Sequence, residues 1–108
     1  MDRWSAKIII QTYILENKIP IPVEDLNLWG CWFGNVENKR VAFTEFDTLQ
    51  VSTVFLGIDH QWGIRKTPLL FETMVFDRGN LIDKYCMPYT TWDIAVAGHY
   101  AVVINSLP

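Results

Sequence analysis

The sequence predicts an α+β domain: an antiparallel sheet of four to five strands, a C-terminal helix packed on one face, and a short helix after an N-terminal hairpin. Three observations predict it. Runs of β-branched and aromatic residues recur at 7–14, 40–46, 50–58 and 69–76, separated mostly by turn residues. The stretch from Thr91 onward instead repeats its apolar residues at helical spacing. The chain has 108 residues, half of them hydrophobic, which suits one domain with its own core and is too apolar for disorder.

Residues 7–14 read as a strand, and Leu15-Glu16-Asn17-Lys18 supplies the turn, with Asn17 suited to a left-handed conformation. Ile19-Pro20-Ile21-Pro22 returns extended, but two prolines deny it a full ladder, so it is an edge strand or a strap. Residues 23–33 read as a helix. Glu24 and Asp25 suit the positive end of its dipole, Gly34-Asn35 closes it, and Leu28, Trp29, Trp32 and Phe33 share a face, although Gly30 weakens it. Residues 40–46 form the next strand, Asp47-Thr48 turns the chain into 50–58, and the loop 59–68 leads to the strand 69–76. Asp77-Arg78-Gly79-Asn80 is a turn, and residues 83–89 are extended or irregular, punctuated by Pro88. Thr90 or Thr91 caps the last helix, on which Trp92, Ala95, Val96, His99 and Val103 share a face. Its other side, with Ile94, Ala97, Ala101 and Ile104, is not charged, so this helix is either well buried or covered by a partner.

Composition excludes some functions. The formal net charge is −3, whereas a duplex binder clusters Lys and Arg. Here the longest basic clusters are the pairs Arg65-Lys66 and Lys39-Arg40, which suit solvated loops or the guarding of a sheet edge. No nucleic-acid partner is expected. The run Lys7-Ile8-Ile9-Ile10 is too short to cross a membrane, and the start Met1-Asp2-Arg3-Trp4 carries no apolar leader, so the chain reads as cytoplasmic with no membrane association. Cys31 and Cys86 lie far apart in apolar surroundings and read as reduced, buried thiols. A glycine-rich phosphate loop and a Gly-x-Ser-x-Gly elbow are both missing from the sequence, and no cofactor is expected.

Ionisable groups intrude on the β pattern in one place. Asp59-His60 follows the run 51–58, and Glu72 sits in the middle of 69–76. By alternation Glu72 shares a face with Leu70, Met74 and Phe76, where a carboxylate needs a partner to offset its lost hydration. His99, in the apolar stripe of the last helix, should point at the sheet and is the natural partner. His60 is a second one, on the face of Glu72 if even positions pair with even; a one-residue slip would bring Asp59 there instead. The set Asp59, His60, Glu72 and His99 admits a divalent-metal site or an acid–base pair. The favoured reading is a structural His–Glu hydrogen bond that fixes helix to sheet, with ligand anchoring as a further alternative. The spacing matches no metalloenzyme signature, so no catalytic or metal-ligating residue is assigned, and the four stand as binding candidates. Trp62 is the fifth: it occupies the loop tip Gln61-Trp62-Gly63, where burial is hard to arrange and a tryptophan becomes a binding hot spot. Trp29, Trp32, Phe33 and Trp62 could line a groove for a base or a protein partner, though the helical spacing of the first three more often marks a core.

The segments Val51-Ser52-Thr53-Val54-Phe55-Leu56-Gly57 with Asp59-His60, Leu69-Leu70-Phe71-Glu72-Thr73-Met74-Val75-Phe76, Thr91-Trp92 and Ala97-Gly98-His99 together resemble an uncharacterised family of small phage and prophage proteins. The likeness extends to Tyr13-Ile14-Leu15, Pro20 to Pro22 and Trp32-Phe33, and so covers most of residues 13–100. It implies a phage or mobile-element origin and expression inside a bacterial host. The chain departs from the pattern at 61–67, where Arg65-Lys66 replaces a glycine-rich loop, and at 83–89. The resulting expectation is a small non-catalytic accessory protein that binds a host or phage protein, a host-defence component included, with a homo-oligomer possible. The alternatives are a metal-dependent enzyme or small-ligand protein built on His60, Glu72 and His99, and a phage structural or morphogenesis component.

Overall fold

The computed structural model describes residues 11–59, 67–82 and 86–107. Its elements run β1 (Thr12–Glu16), β2 (Ile19–Val23), α1 (Leu26–Phe33), α2 (Val36–Lys39), β3 (Arg40–Phe46), β4 (Leu49–Phe55), β5 (Phe71–Asp77), β6 (Asn80–Leu81), β7 (Met87–Tyr89) and α3 (Trp92–Ser106). The α+β class holds. Five antiparallel strands form one sheet in the order β3-β4-β5-β6, with β7 also paired to β5, and β1-β2 is a separate hairpin. β6 and β7 share one edge of β5: β6 lies opposite Phe76 and Asp77, β7 opposite Phe71, Glu72 and Thr73.

Two of the tight turns carry positive φ at two residues, one of them an Asn or Gly that tolerates it well. Asn17 and Lys18 (φ 52° and 68°) join β1 to β2, and Arg78 and Gly79 (φ 50° and 83°) join β5 to β6, both as two-residue hairpins whose twist matches that of the strands. Because Glu16 pairs with Ile19, β1 runs two residues further than the sequence suggests, through Leu15 and Glu16. The first four residues of the expected 7–14 strand lie outside the described residues.

Helix α1 begins at Leu26 rather than 23. Asp25 acts as its cap, its Oδ1 accepting the Asn27 and Leu28 amides at 3.0 and 3.2 Å. Gly34 closes α1 in right-handed geometry (φ −65°), not in the left-handed form that usually stops a helix. The chain therefore continues into α2, one turn capped by the Asn35 side chain. This helix has no apolar periodicity of its own, which is why the sequence conceals it.

Alternation gives the sheet two faces. Val51, Thr53 and Phe55 of β4 and Phe71, Thr73 and Val75 of β5 are buried on one of them, and α3 covers it with Ala95 and His99. Register aligns Phe55, Phe71 and Tyr89 across β4, β5 and β7. Phe55 and Phe71 stand 5.3 Å apart between ring centroids, Trp92 of α3 meets Phe71 edge-on at 6.3 Å, and Trp32 of α1 meets Phe55 edge-on at 5.7 Å. The other face carries Ser52, Val54, Glu72 and Met74, all half-buried.

Neither cysteine is the buried thiol its apolar neighbours suggested. Cys31 is exposed and Cys86 half-buried. Helix α1 buries no residue fully and turns Cys31 away from the side that carries Trp29 and Trp32. Among the described residues no helix is long and apolar enough to cross a membrane.

Candidate functional site

His99 lies in the interior with no exposed surface. Two threonines bond it directly and a third extends the chain, one each from β3, β4 and β5. Thr44 Oγ1 of β3 is 2.8 Å from Nε2, Thr53 Oγ1 of β4 is 2.7 Å from Nδ1, and Thr73 Oγ1 of β5 is 2.5 Å from Thr53 Oγ1. A neutral imidazole has one N–H and one bare nitrogen, so it donates to one threonine and accepts from another; the ring is fully satisfied. Burial holds its pKa below the ordinary histidine value because the charged form would lose its hydration. The chain of hydroxyls ties α3 to three strands at once, which makes it an architectural device.

The expected pairing of His99 with Glu72 does not form. β5 alternates strictly, so Thr73 faces α3 while Glu72 faces the opposite side, beside Val54 of β4 and Pro88 of β7. The sequence misleads here because the threonines, Thr53 and Thr73 buried and Thr44 half-buried, look like ordinary polar strand residues, and the carboxylate draws the eye instead. The strands do pair even with even, as Val54↔Glu72 and Ser52↔Met74. His60 and Trp62 lie outside the described residues. Asp59 is half-buried beyond the end of β4, and the Tyr13 phenol has its pKa raised by burial and, secondarily, by the negative charge of Asp59. Among the described residues no group of three His, Cys, Asp or Glu side chains is placed to hold a metal ion.

The face away from α3 carries the larger feature. A groove of about 470 Å³ opens between α1–α2 and the sheet, with Phe33 and Val36 on one wall, Val54, Leu56 and Ile58 on the floor, and Lys39 and Arg40 among its lining residues. That size is in the range of ligand pockets, and an apolar lining with a few charged groups is their usual chemistry. The walls are braced. Phe33 stacks on Trp29 at 4.8 Å, Lys39 Nζ lies 4.1 Å from the Phe33 ring centroid, and the Trp29 indole N–H donates to the Tyr13 carbonyl at 3.1 Å. Arg40 is exposed and its ion pair with Glu37, at 3.1 Å, lies at the surface, so it contributes little to stability and leaves the guanidinium available. Glu72 stands across Val54 from Arg40, so the two rims of this face carry opposite charge.

Gly57 sets how closely Phe33 approaches. It holds φ +73°, and a Cβ there would fall 2.5 Å from the Phe33 ring. Gly57→Ala is expected to lower stability by about 1–3 kcal/mol, from a strained backbone and a displaced ring. Thermal melts check it, and an unchanged melting temperature would show that the Phe33 wall is not fixed.

Sequence reasoning read Lys39-Arg40 as a solvated loop or edge guard, and allowed Phe33 a place in a groove but favoured the core. The overlooked signal was that β4 is apolar on both faces at Val54-Phe55-Leu56, which marks a strand covered on two sides. Compared with known proteins, the chain matches no family model, no curated protein and no solved structure.

Proposed function

We propose that this chain is a non-catalytic binding protein, a phage or prophage accessory factor working inside its host, that holds a segment of a protein partner in the groove between α1–α2 and the sheet. The observation that carries the reading is the groove itself: an apolar floor of Val54, Leu56 and Ile58 beside the cations Lys39 and Arg40. An apolar floor selects an aliphatic or aromatic side chain, and the cations select a carboxylate close to it. Glu72, on the far side of Val54, repels that carboxylate and so fixes which way round the segment lies. The preferred occupant is therefore a short acidic segment with an apolar anchor. The sequence resemblance supports the phage setting.

A peptide-display selection on the purified protein tests this. Enriched peptides should place Asp or Glu within a few residues of an aromatic or aliphatic anchor. The double charge reversal Lys39→Glu, Arg40→Glu should weaken them by about tenfold or more, the loss of two close charge pairs, with the circular dichroism of the fold retained. The aryl sulfonate dye ANS should light up in the groove of the parent protein and stay dark with the reversed pair. Peptides of no common chemistry, or binding indifferent to the reversal, would remove the groove from consideration.

A further inference from the structure

We infer that Glu37 is a built-in competitor at the groove: it occupies Arg40 while the groove is empty and is displaced by the carboxylate of the incoming segment. The inference rests on the groove reading and deepens it, because it names what a ligand must displace. Glu37 is the second residue of α2 and Arg40 is its C-cap, an i, i+3 spacing that sets the two side chains on one side of the turn. Glu37 Oε1 lies 3.1 Å from Arg40 Nη1. Arg40 lines the groove and Glu37 does not, so the carboxylate reaches the guanidinium from outside the rim.

The two partners are held unequally. Arg40 is tied by its backbone: its amide donates to the Val36 carbonyl, and it pairs with Val54 of β4. Its guanidinium carbon lies 5.3 Å from the ring centroid of Phe43, which sits opposite Ser52 of the groove lining. The Glu37 side chain is 74% exposed and meets Arg40 through one oxygen. Its displacement therefore disturbs no packing and leaves Arg40 in place. Lys39 does not take over the carboxylate, because its ammonium lies over the Phe33 ring at 4.1 Å.

The chemistry favours exchange. A one-point ion pair at the surface is weak, whereas a guanidinium offers a carboxylate two parallel N–H donors. A carboxylate carried by a segment whose apolar anchor rests on Val54 and Leu56 is held beside Arg40 and makes that two-point contact with water partly excluded, where charge pairs strengthen. An anion without an anchor has only a screened contact to gain. The site is thus open for part of the time, and every anionic ligand binds more weakly by the fraction of molecules in which Arg40 is unpaired. An anchored carboxylate recovers that loss and a free anion does not, so Glu37 sharpens the preference for a segment that carries both groups.

Fluorescence titration of the full chain with two dyes of like shape tests the competition: ANS, which carries a sulfonate, and N-phenyl-1-naphthylamine, the same rings without it. Glu37→Gln should tighten ANS by about two- to fivefold, the range that a weak surface pair allows, and leave the neutral dye unchanged. Both Glu37 and Arg40 are exposed, so the variants should keep the fold, which circular dichroism checks. In an Arg40→Gln background, where ANS binds more weakly, Glu37→Gln should change nothing, since the two residues act through one contact. Tightening that persists without Arg40 is a general charge effect and overturns the inference. So does an ANS affinity that Glu37→Gln leaves unaltered or lowers while Arg40→Gln still weakens it, a result the groove reading survives. ANS binding indifferent to Arg40→Gln removes the groove reading and the inference with it.

Discussion

Phe71→Ala is expected to remove about 3–5 kcal/mol of folding stability, read as a lower urea midpoint at unchanged slope. Phe71 has no exposed surface, lies in the strand that pairs with β4, β6 and β7, and touches rings from two directions, Phe55 of β4 and Trp92 of α3. Its neighbours cannot collapse onto the vacancy, because Phe55 and Tyr89 are held by their own strand registers on either side. The lost ring therefore leaves both unburied transfer energy and an unfilled cavity. Domains of this kind are stable by about 5–15 kcal/mol in all, so this one truncation removes a large share. Phe71→Leu keeps most of the volume and should lose much less. A loss for Phe71→Ala below about 1 kcal/mol would place the centre of the core elsewhere.

The contrast between what the sequence reveals and what it hides has a physical origin. The strand β3 is legible to its ends, Arg40 and Phe46, because alternation and turn residues bound it on both sides. The face of α3 was legible too: of the residues at helical spacing, Ala95 and His99 are buried and Trp92, Val96 and Val103 are half-buried. Periodicity reports the burial of a long element because many residues vote on it. It fails for α2, β6 and β7, of four, two and three residues, which exist because neighbours offer them hydrogen bonds. It also fails for side-chain pairing. That His99 faces the sheet follows from its own helix, whereas which residues receive it depends on the phase of three strands. Those strands present Thr44, Thr53 and Thr73, while Glu72 is one residue out of phase and so a whole sheet thickness away. Asp59 sits next to Tyr13 for a similarly non-local reason: β1 is tied to the end of β4 by a Thr12–Ile58 bridge and by the Tyr13 amide donating to the Gly57 carbonyl at 2.8 Å.

The His99 network makes stability depend on pH in a stated direction. The folded pKa of His99 lies below its unfolded value near 6.5, because burial strips the charged ring of its hydration. Between those two values the unfolded chain binds the extra proton. Stability therefore rises with pH through that window, is fully in place above about pH 6.5, and is lost progressively as pH falls below it. One proton sets a ceiling of about 1.4 kcal/mol per pH unit on the slope. His99→Gln keeps an amide donor and acceptor near the threonines but cannot titrate. Its stability at pH 8 should be lower than that of the parent, by roughly 1–3 kcal/mol for imperfect pairing of buried hydroxyls, and the gap should narrow as pH falls. Denaturant melts of both proteins across pH 5 to 8 separate this from the other titrating groups, which the two share. A gap that stays constant with pH would mean that His99 keeps its ordinary pKa, and the buried, neutral ring that joins α3 to three strands would have to be given up.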